Sequence, residues 1–147
     1  MIHKFKVYET VRGQGRPRFK KFGKTYKDPK DIKWENAIKE AYINSNGVNF
    51  GSKPLIMAVL IHRAMPNSRP KYRESEMDVF KPDADNIFKG IADALNGIAY
   101  DDDKQIIAAI PIKLPRIRMD GEYVEVMITD EINMADLRYR VEGLFNG

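Results

Sequence analysis

Cysteine is absent from the 147 residues. Its absence excludes disulfide frameworks, thiolate metal sites and cysteine nucleophiles, and it fits a reducing compartment. Histidine is almost as scarce: His3 and His62 are isolated, and each reads as a packing or surface residue. Long hydrophobic runs are missing too. The longest, Leu55 to Ile61, falls far short of the ~20 residues that a membrane-spanning helix needs. The opening Met1-Ile2-His3-Lys4 lacks the apolar stretch of a secretory signal. A soluble cytoplasmic protein with no membrane partner is expected. Gly13-Gln14-Gly15 lacks the third glycine of a dinucleotide fingerprint, and no Gly-Lys-Ser/Thr phosphate loop or serine nucleophile elbow occurs. No organic cofactor is expected.

What is present describes one globular domain, residues 1–147. Hydrophobic residues make up 43% and charged residues 31% of the chain, enough for one core and too apolar for disorder. The net charge of +4 is unevenly spread. Residues 1–40 carry twelve Lys or Arg against five Asp or Glu, whereas residues 74–103 carry nine acids against Lys81 and Lys89. A basic segment beside an acidic cluster suits an enzyme that grips a polyanion and holds a divalent metal. Two solvated faces would carry the same pattern.

The hydrophobic periodicity predicts a mixture of strands and helices. Residues 2–9 alternate, with Phe5 and Val7 on one side, and residues 12–31 are a loop rich in Gly, Pro and bases. Asp31 is the expected N-cap of a helix carrying Trp34, Ile38, Ala41 and Tyr42 and ending near Asn46-Gly47. Leu55–Ile61 reads as a buried central strand, and Pro66–Pro82 as a long loop. A second helix over residues 83–96 has Asp83 as N-cap, Ile87, Ile91, Ala94 and Leu95 as its apolar stripe, and Asn96-Gly97 as its stop. Residues 105–114 and 122–130 are strands joined by the hairpin signal Asp120-Gly121. Met134, Leu137, Val141 and Leu144 mark a last amphipathic helix. The fold class is α+β: a mixed β-sheet with packed helices. Trp34, Tyr42 and Phe50 belong to its core rather than to a base-stacking platform, and Arg116 and Arg118 to its solvated surface.

The chemistry is concentrated in Lys81-Pro-Asp83-Ala-Asp85-Asn86-Ile-Phe-Lys89, continuing through Asp93 to Asp101-Asp102-Asp103-Lys104-Gln105. Asp83 and Asp85 fall at the start of a helix, where the macrodipole favours carboxylates. Lys89 lies four residues beyond Asp85, on the same face. Asp101 to Asp103 lie where the chain returns into a strand, so three or four carboxylates are expected to converge. Like charges brought together require a cation, and oxygen-only donors suit Mg²⁺, with Mn²⁺ as its substitute. Taken singly, each residue has an ordinary role: Asp83 a cap, Asp85 with Lys89 a surface ion pair, the aspartate triplet a solvated turn. An EF-hand is excluded, because a loop counted from Asp83 puts Phe88 at the obligatory glycine, and one counted from Asp101 puts Ile106 there.

The string from Lys81 to Gly97, followed by Asp101-Asp102-Asp103-Lys104-Gln105, resembles the signature of the RusA-type Holliday-junction resolvases, small homodimeric endonucleases common in phages and prophages. Gly13-Gln-Gly-Arg16-Pro17-Arg18-Phe19 with Tyr26 is similar to an Arg-Pro-Arg segment of phage-type members. The resemblance implies a Mg²⁺-dependent endodeoxyribonuclease of DNA recombination and repair. Asp83, Asp85, Asp103 and Lys89 would be required for cleavage, the three aspartates as metal ligands. The aspartate triplet leaves Asp102 as an alternative third ligand, and alignment on Gln105 favours Asp103. The substrate implied is branched DNA, the four-way junction, cut by paired symmetric nicks from a homodimer. Arg12, Arg16, Arg18, Lys20, Lys21 and Lys24 are the expected phosphate contacts. The residues also admit a non-catalytic DNA-binding module with a structural acidic turn, and an RNA-directed metal nuclease.

Overall fold

Alternation in the strands Ile2–Tyr8 and Tyr123–Thr129 gives the main sheet two unlike faces. A computed structural model of the chain describes residues 1–15, 18–19 and 23–147, with the backbone only at Arg18 and Phe19. In chain order the elements are β1 (Ile2–Tyr8), β2 (Arg18–Phe19), β3 (Thr25–Tyr26), α1 (Pro29–Asn44), β4 (Leu55–His62), β5 (Ser75–Glu76), α2 (Ala84–Ala94), β6 (Ile106–Lys113), β7 (Arg116–Ile117), β8 (Tyr123–Thr129) and α3 (Met134–Phe145). A short 3-10 turn at Asp103–Gln105 leads into β6. The expected α+β class is observed: a single domain with a mixed four-stranded sheet and three helices.

The sheet order is β1-β8-β4-β6. Strands β4 and β6 are parallel and joined through α2, while β8 runs antiparallel to both β1 and β4. The Asp120-Gly121 signal predicts that the strands on either side of it pair. Instead β8 inserts between β1 and β4, and β6 takes an edge, a position that tolerates Pro111 because no further strand asks for its missing N–H. The expected loop 66–82 is also more ordered than its prolines suggest, since β5 within it pairs with β7.

Phe5 and Val7 of β1, Val124, Val126 and Ile128 of β8, and Leu55, Met57, Val59 and Ile61 of β4 line one face, all buried. Helices α1 and α2 and the turn after them cover it with Trp34, Ile38, Tyr42, Ile87, Ile91 and Leu95. Each aliphatic side chain among these contributes about 1.5–3 kcal/mol by leaving water. Trp34, Tyr42 and Phe50 are core residues, as expected. Helix α1 starts earlier than its periodicity indicates: Asp28, not Asp31, is the N-cap, accepting from the Lys30 amide at 2.8 Å, with Pro29 in the first turn. The two histidines pack as expected. His3 stacks on Phe5 and hydrogen-bonds Ser45, and His62 stacks on Tyr123 and pairs with Glu125.

The opposite face of the sheet is open. Ala58, Leu60, Met127, Ile110 and Ile112 form its apolar middle, with Lys4 and Lys6 along β1. Ile110 and Ile112 are exposed. Helix α3 buries no residue, and Leu144 and Phe145 stand in solvent. Among the described residues no helix is long and apolar enough to cross a membrane.

Candidate active site

Helix α2 is anchored by its apolar stripe, which leaves its first turn and polar flank to carry chemistry. Asp83 occupies the N-cap position, but its side chain makes no cap hydrogen bond. The expected capping hydrogen bond is therefore not made, and the carboxylate is uncommitted among the described residues. The helix ends where expected, with Gly97 at φ +76°, a conformation glycine adopts without strain. The returning segment is tied back by the buried Tyr100, whose hydroxyl donates to the Ala92 carbonyl at 2.6 Å.

The aspartate triplet divides its duties. Asp102 caps the 3-10 turn, accepting from the Lys104 amide at 2.8 Å, while the Asp102 amide donates to Gln105 Oε1 at 3.0 Å. Gln105 Nε2 in turn donates to the Gly51 and Lys53 carbonyls. The glutamine of the motif thus fixes the turn that presents Asp103, a role its position alone does not disclose. Asp101 and Asp102 are exposed, and Asp103 is half-buried.

Asp85, Lys89 and Asp103 come together around a cavity of about 370 Å³ whose apolar wall includes Phe88, Ile106 and Pro111. Neither the Asp85 nor the Lys89 side chain takes an ion-pair or hydrogen-bond partner among the described residues. The surface ion pair that is the ordinary alternative for Asp85 and Lys89 is not formed among the described residues. Partial burial, a hydrogen bond with Asp102 and the nearby charges of Asp93 and Asp102 hold the Asp103 carboxyl above the usual aspartate range. Asp102 is shifted the other way, chiefly by the Lys104 amide.

Asp83 does not line this cavity. Among the described residues no three His, Asp or Glu side chains approach closely enough to enclose a metal ion. The three-carboxylate convergence expected from spacing is thus not closed within one chain. The donors present, hard carboxylate oxygens of Asp85 and Asp103 beside one cavity, fit a divalent cation of the Mg²⁺ type.

The basic loop docks beside this helix. The Gln14 amide donates to the Asn86 carbonyl at 3.1 Å, and Gln14 Nε2 donates to Asp93 at 2.9 Å. Gly13 permits that approach, since a Cβ there would lie 2.4 Å from Asn86 Nδ2. Arg12 points into the protein surface and donates to Asp31 at 2.7 Å. Lys24 is exposed. Arg16, Lys20, Lys21 and the Arg18 side chain lie outside the described residues. Arg116, expected at the solvated surface, is buried: it stacks on Phe80 and hydrogen-bonds Glu76. Arg118 donates to the Arg69 and Pro70 carbonyls.

Sequence reasoning passes over Arg63, Asp78 and Lys113, which gather behind the residues leading into α2. The available signal is that strands β4 and β6 each reach a cation where the apolar run ends.

The family model described as Endodeoxyribonuclease RusA matches residues 9–129. Uncharacterized protein YqaN of Bacillus subtilis (strain 168) is 33% identical over 138 residues, covering 86% of this chain and 95% of that protein.

Proposed function

The chain belongs to the RusA endodeoxyribonuclease family, whose nucleases are metal-dependent, and from that premise we propose that it resolves four-way DNA junctions by paired nicks. The observation that carries the reading is the cavity shared by Asp85, Lys89 and Asp103, with the first two unpartnered among the described residues. Asp85 and Asp103, with the uncommitted Asp83 beside them in the chain, would hold Mg²⁺, for which Mn²⁺ would substitute. A cation held there would supply Lewis acidity toward a phosphodiester and would lower the pKa of a nearby water. Lys89, lining the same space, offsets charge on the transferring phosphate. Phe88, Ile106 and Pro111 limit water on the apolar side, which strengthens these electrostatic contacts. The basic segment, Arg16, Arg18, Lys20, Lys21 and Lys24 with Arg12 at its base, grips backbone phosphates and adds affinity without base reading.

Junction resolution needs two cuts, and one chain carries one such cavity-centred group. A two-fold homodimer matches the symmetry of the junction. The open apolar sheet face and the unpacked α3 support it, because contiguous exposed apolar surface marks contact sites. A synthetic four-way junction incubated with and without Mg²⁺ tests the activity, alongside linear duplex and RNA. Metal-dependent symmetric nicks confined to the junction are expected, and intact junction under all conditions would refute the reading. Light scattering at micromolar concentration should return about twice the chain mass.

A further inference from the structure

Three side chains distant in sequence meet behind the start of α2. Asp78 has a fully buried side chain, and it receives Arg63 Nη1 at 3.1 Å and Lys113 Nζ at 3.5 Å. Arg63 follows β4, Lys113 closes β6, and the side chains of both are nearly buried. Both cations reach past Asp78 to the same stretch of backbone. Arg63 Nη2 donates to the Lys81 carbonyl at 2.9 Å, while Lys113 Nζ donates to the carbonyls of Phe80 at 2.5 Å and Pro82 at 3.0 Å. Three consecutive carbonyls are therefore held by two strand-anchored cations. The next residue is Asp83.

Stability does not explain this arrangement well. Burying two cations against one carboxylate costs desolvation that the pairing alone often fails to offset, and apolar replacements of such groups are commonly neutral or stabilising. Arg63 Nε is also buried without a hydrogen-bond partner among the described residues, a further cost. The arrangement does fix where the chain enters α2. A helix whose N-cap side chain makes no cap bond lacks one ordinary means of setting its first turn. Carbonyls 80–82 supply another, and they leave the Asp83 carboxylate free among the described residues.

We propose that Arg63, Asp78 and Lys113 are positioning residues: they hold carbonyls 80–82 so that Asp83 and Asp85 are presented for metal binding. This role rests on the metal site proposed above for Asp83, Asp85 and Asp103. Because sites held by a rigid supporting shell bind more tightly than those assembled on binding, loosening the clamp weakens metal affinity more than it weakens DNA binding.

Lys113→Met keeps the stem and removes the donor; Lys113→Arg keeps a cation with donors; Arg63→Lys keeps the charge and removes the fork. Mn²⁺ binding to each full-length protein is measured by calorimetry, junction KM by nicking assay, and folding by circular dichroism. Lys113→Met is expected to raise the Mn²⁺ Kd about tenfold, the low end for removing a supporting hydrogen bond around a metal, with KM for the junction unchanged and partial recovery in Lys113→Arg. Arg63→Lys should shift Kd in the same direction, and it carries the comparison if Lys113→Met does not fold. Mn²⁺ affinity equal to wild type in a folded clamp variant overturns the positioning role alone. If Asp85→Asn binds Mn²⁺ as tightly as wild type, the proposed metal site falls, and the positioning role with it.

Discussion

The N-terminal segment and the acidic centre carry formal charge excesses of equal size and opposite sign, +7 over residues 1–40 and −7 over residues 74–103. Folding treats them differently. In the basic segment Arg12 is taken up by Asp31, Lys27 by Glu35 and Lys33 by Glu9. In the acidic centre Glu76 is taken up by Arg116 and Asp78 by Arg63 and Lys113, but Asp85 faces a cavity without a partner among the described residues and Asp103 sits against Asp102. A count along the chain measures charge present, whereas binding depends on charge left uncompensated once neighbours have paired. The exposed pairs of Lys27 and Lys33 are worth little, about 0–1 kcal/mol, so a polyanion can displace them. Asp85 lacks even that relief among the described residues.

The sharpest way to break the contrast is Asp85→Asn. If the acidic centre is a metal site, junction cleavage falls by at least about 10²–10³-fold, the scale of removing one key electrostatic group, while junction binding stays intact or tightens. Full nicking activity in this variant would remove the active-site assignment.

The triplet gives the next largest effect. Asp103→Asn should cripple cleavage and Asp101→Asn should not, since Asp103 is the member of the triplet that faces the cavity; the reverse order in a nicking assay would assign the ligand elsewhere.

On the basic side, paired replacement of Arg16 with Arg18, or of Lys20 with Lys21, should weaken binding to all DNA substrates alike. The log–log salt slope should flatten by about one unit for each phosphate no longer neutralised. An unchanged slope in a binding titration would return these residues to solvated surface.

The smallest effect concerns stability without metal. The Asp103 carboxyl titrates above its unfolded value, so the folded state holds the proton more tightly. Stability is then lost as pH rises from the unfolded pKa through the raised folded one, and the penalty is complete above it. Asp103→Asn should therefore melt slightly higher than wild type at neutral pH in chelator, with the difference vanishing at acid pH. A lower melting temperature at neutral pH would mean that the carboxylate is structurally satisfied.

Legibility followed the range of the interactions. Helix α2 could be read because Ile87, Ile91 and Leu95 recur at helical spacing and Gly97 stops the helix. The gathering of Asp85, Lys89 and Asp103 was within reach because one helix and one return connect them. Strand partners were not, since period-two alternation in β8 is the same whether its neighbour is β6 or β1. Asp78 was invisible for a related reason: its partners come from the ends of two other strands. The continuous apolar β4 correctly marked a central strand, but a strand of that kind is usually covered on both faces, and this chain covers one.

Strand β8 has a consequence for the order in which the molecule can form. Ile2 pairs with Thr129, and Ile56 pairs with the same residue. During synthesis β1 emerges first and has no sheet to join until the chain has reached residue 129. The segment from β4 through α2 to β6 is complete earlier and can assemble the parallel pair that carries Asp85 and Asp103. A ribosome-bound chain would thus hold its acidic residues near one another while β1 was still unpaired, and closure of the slow long-range pairings would wait for β8.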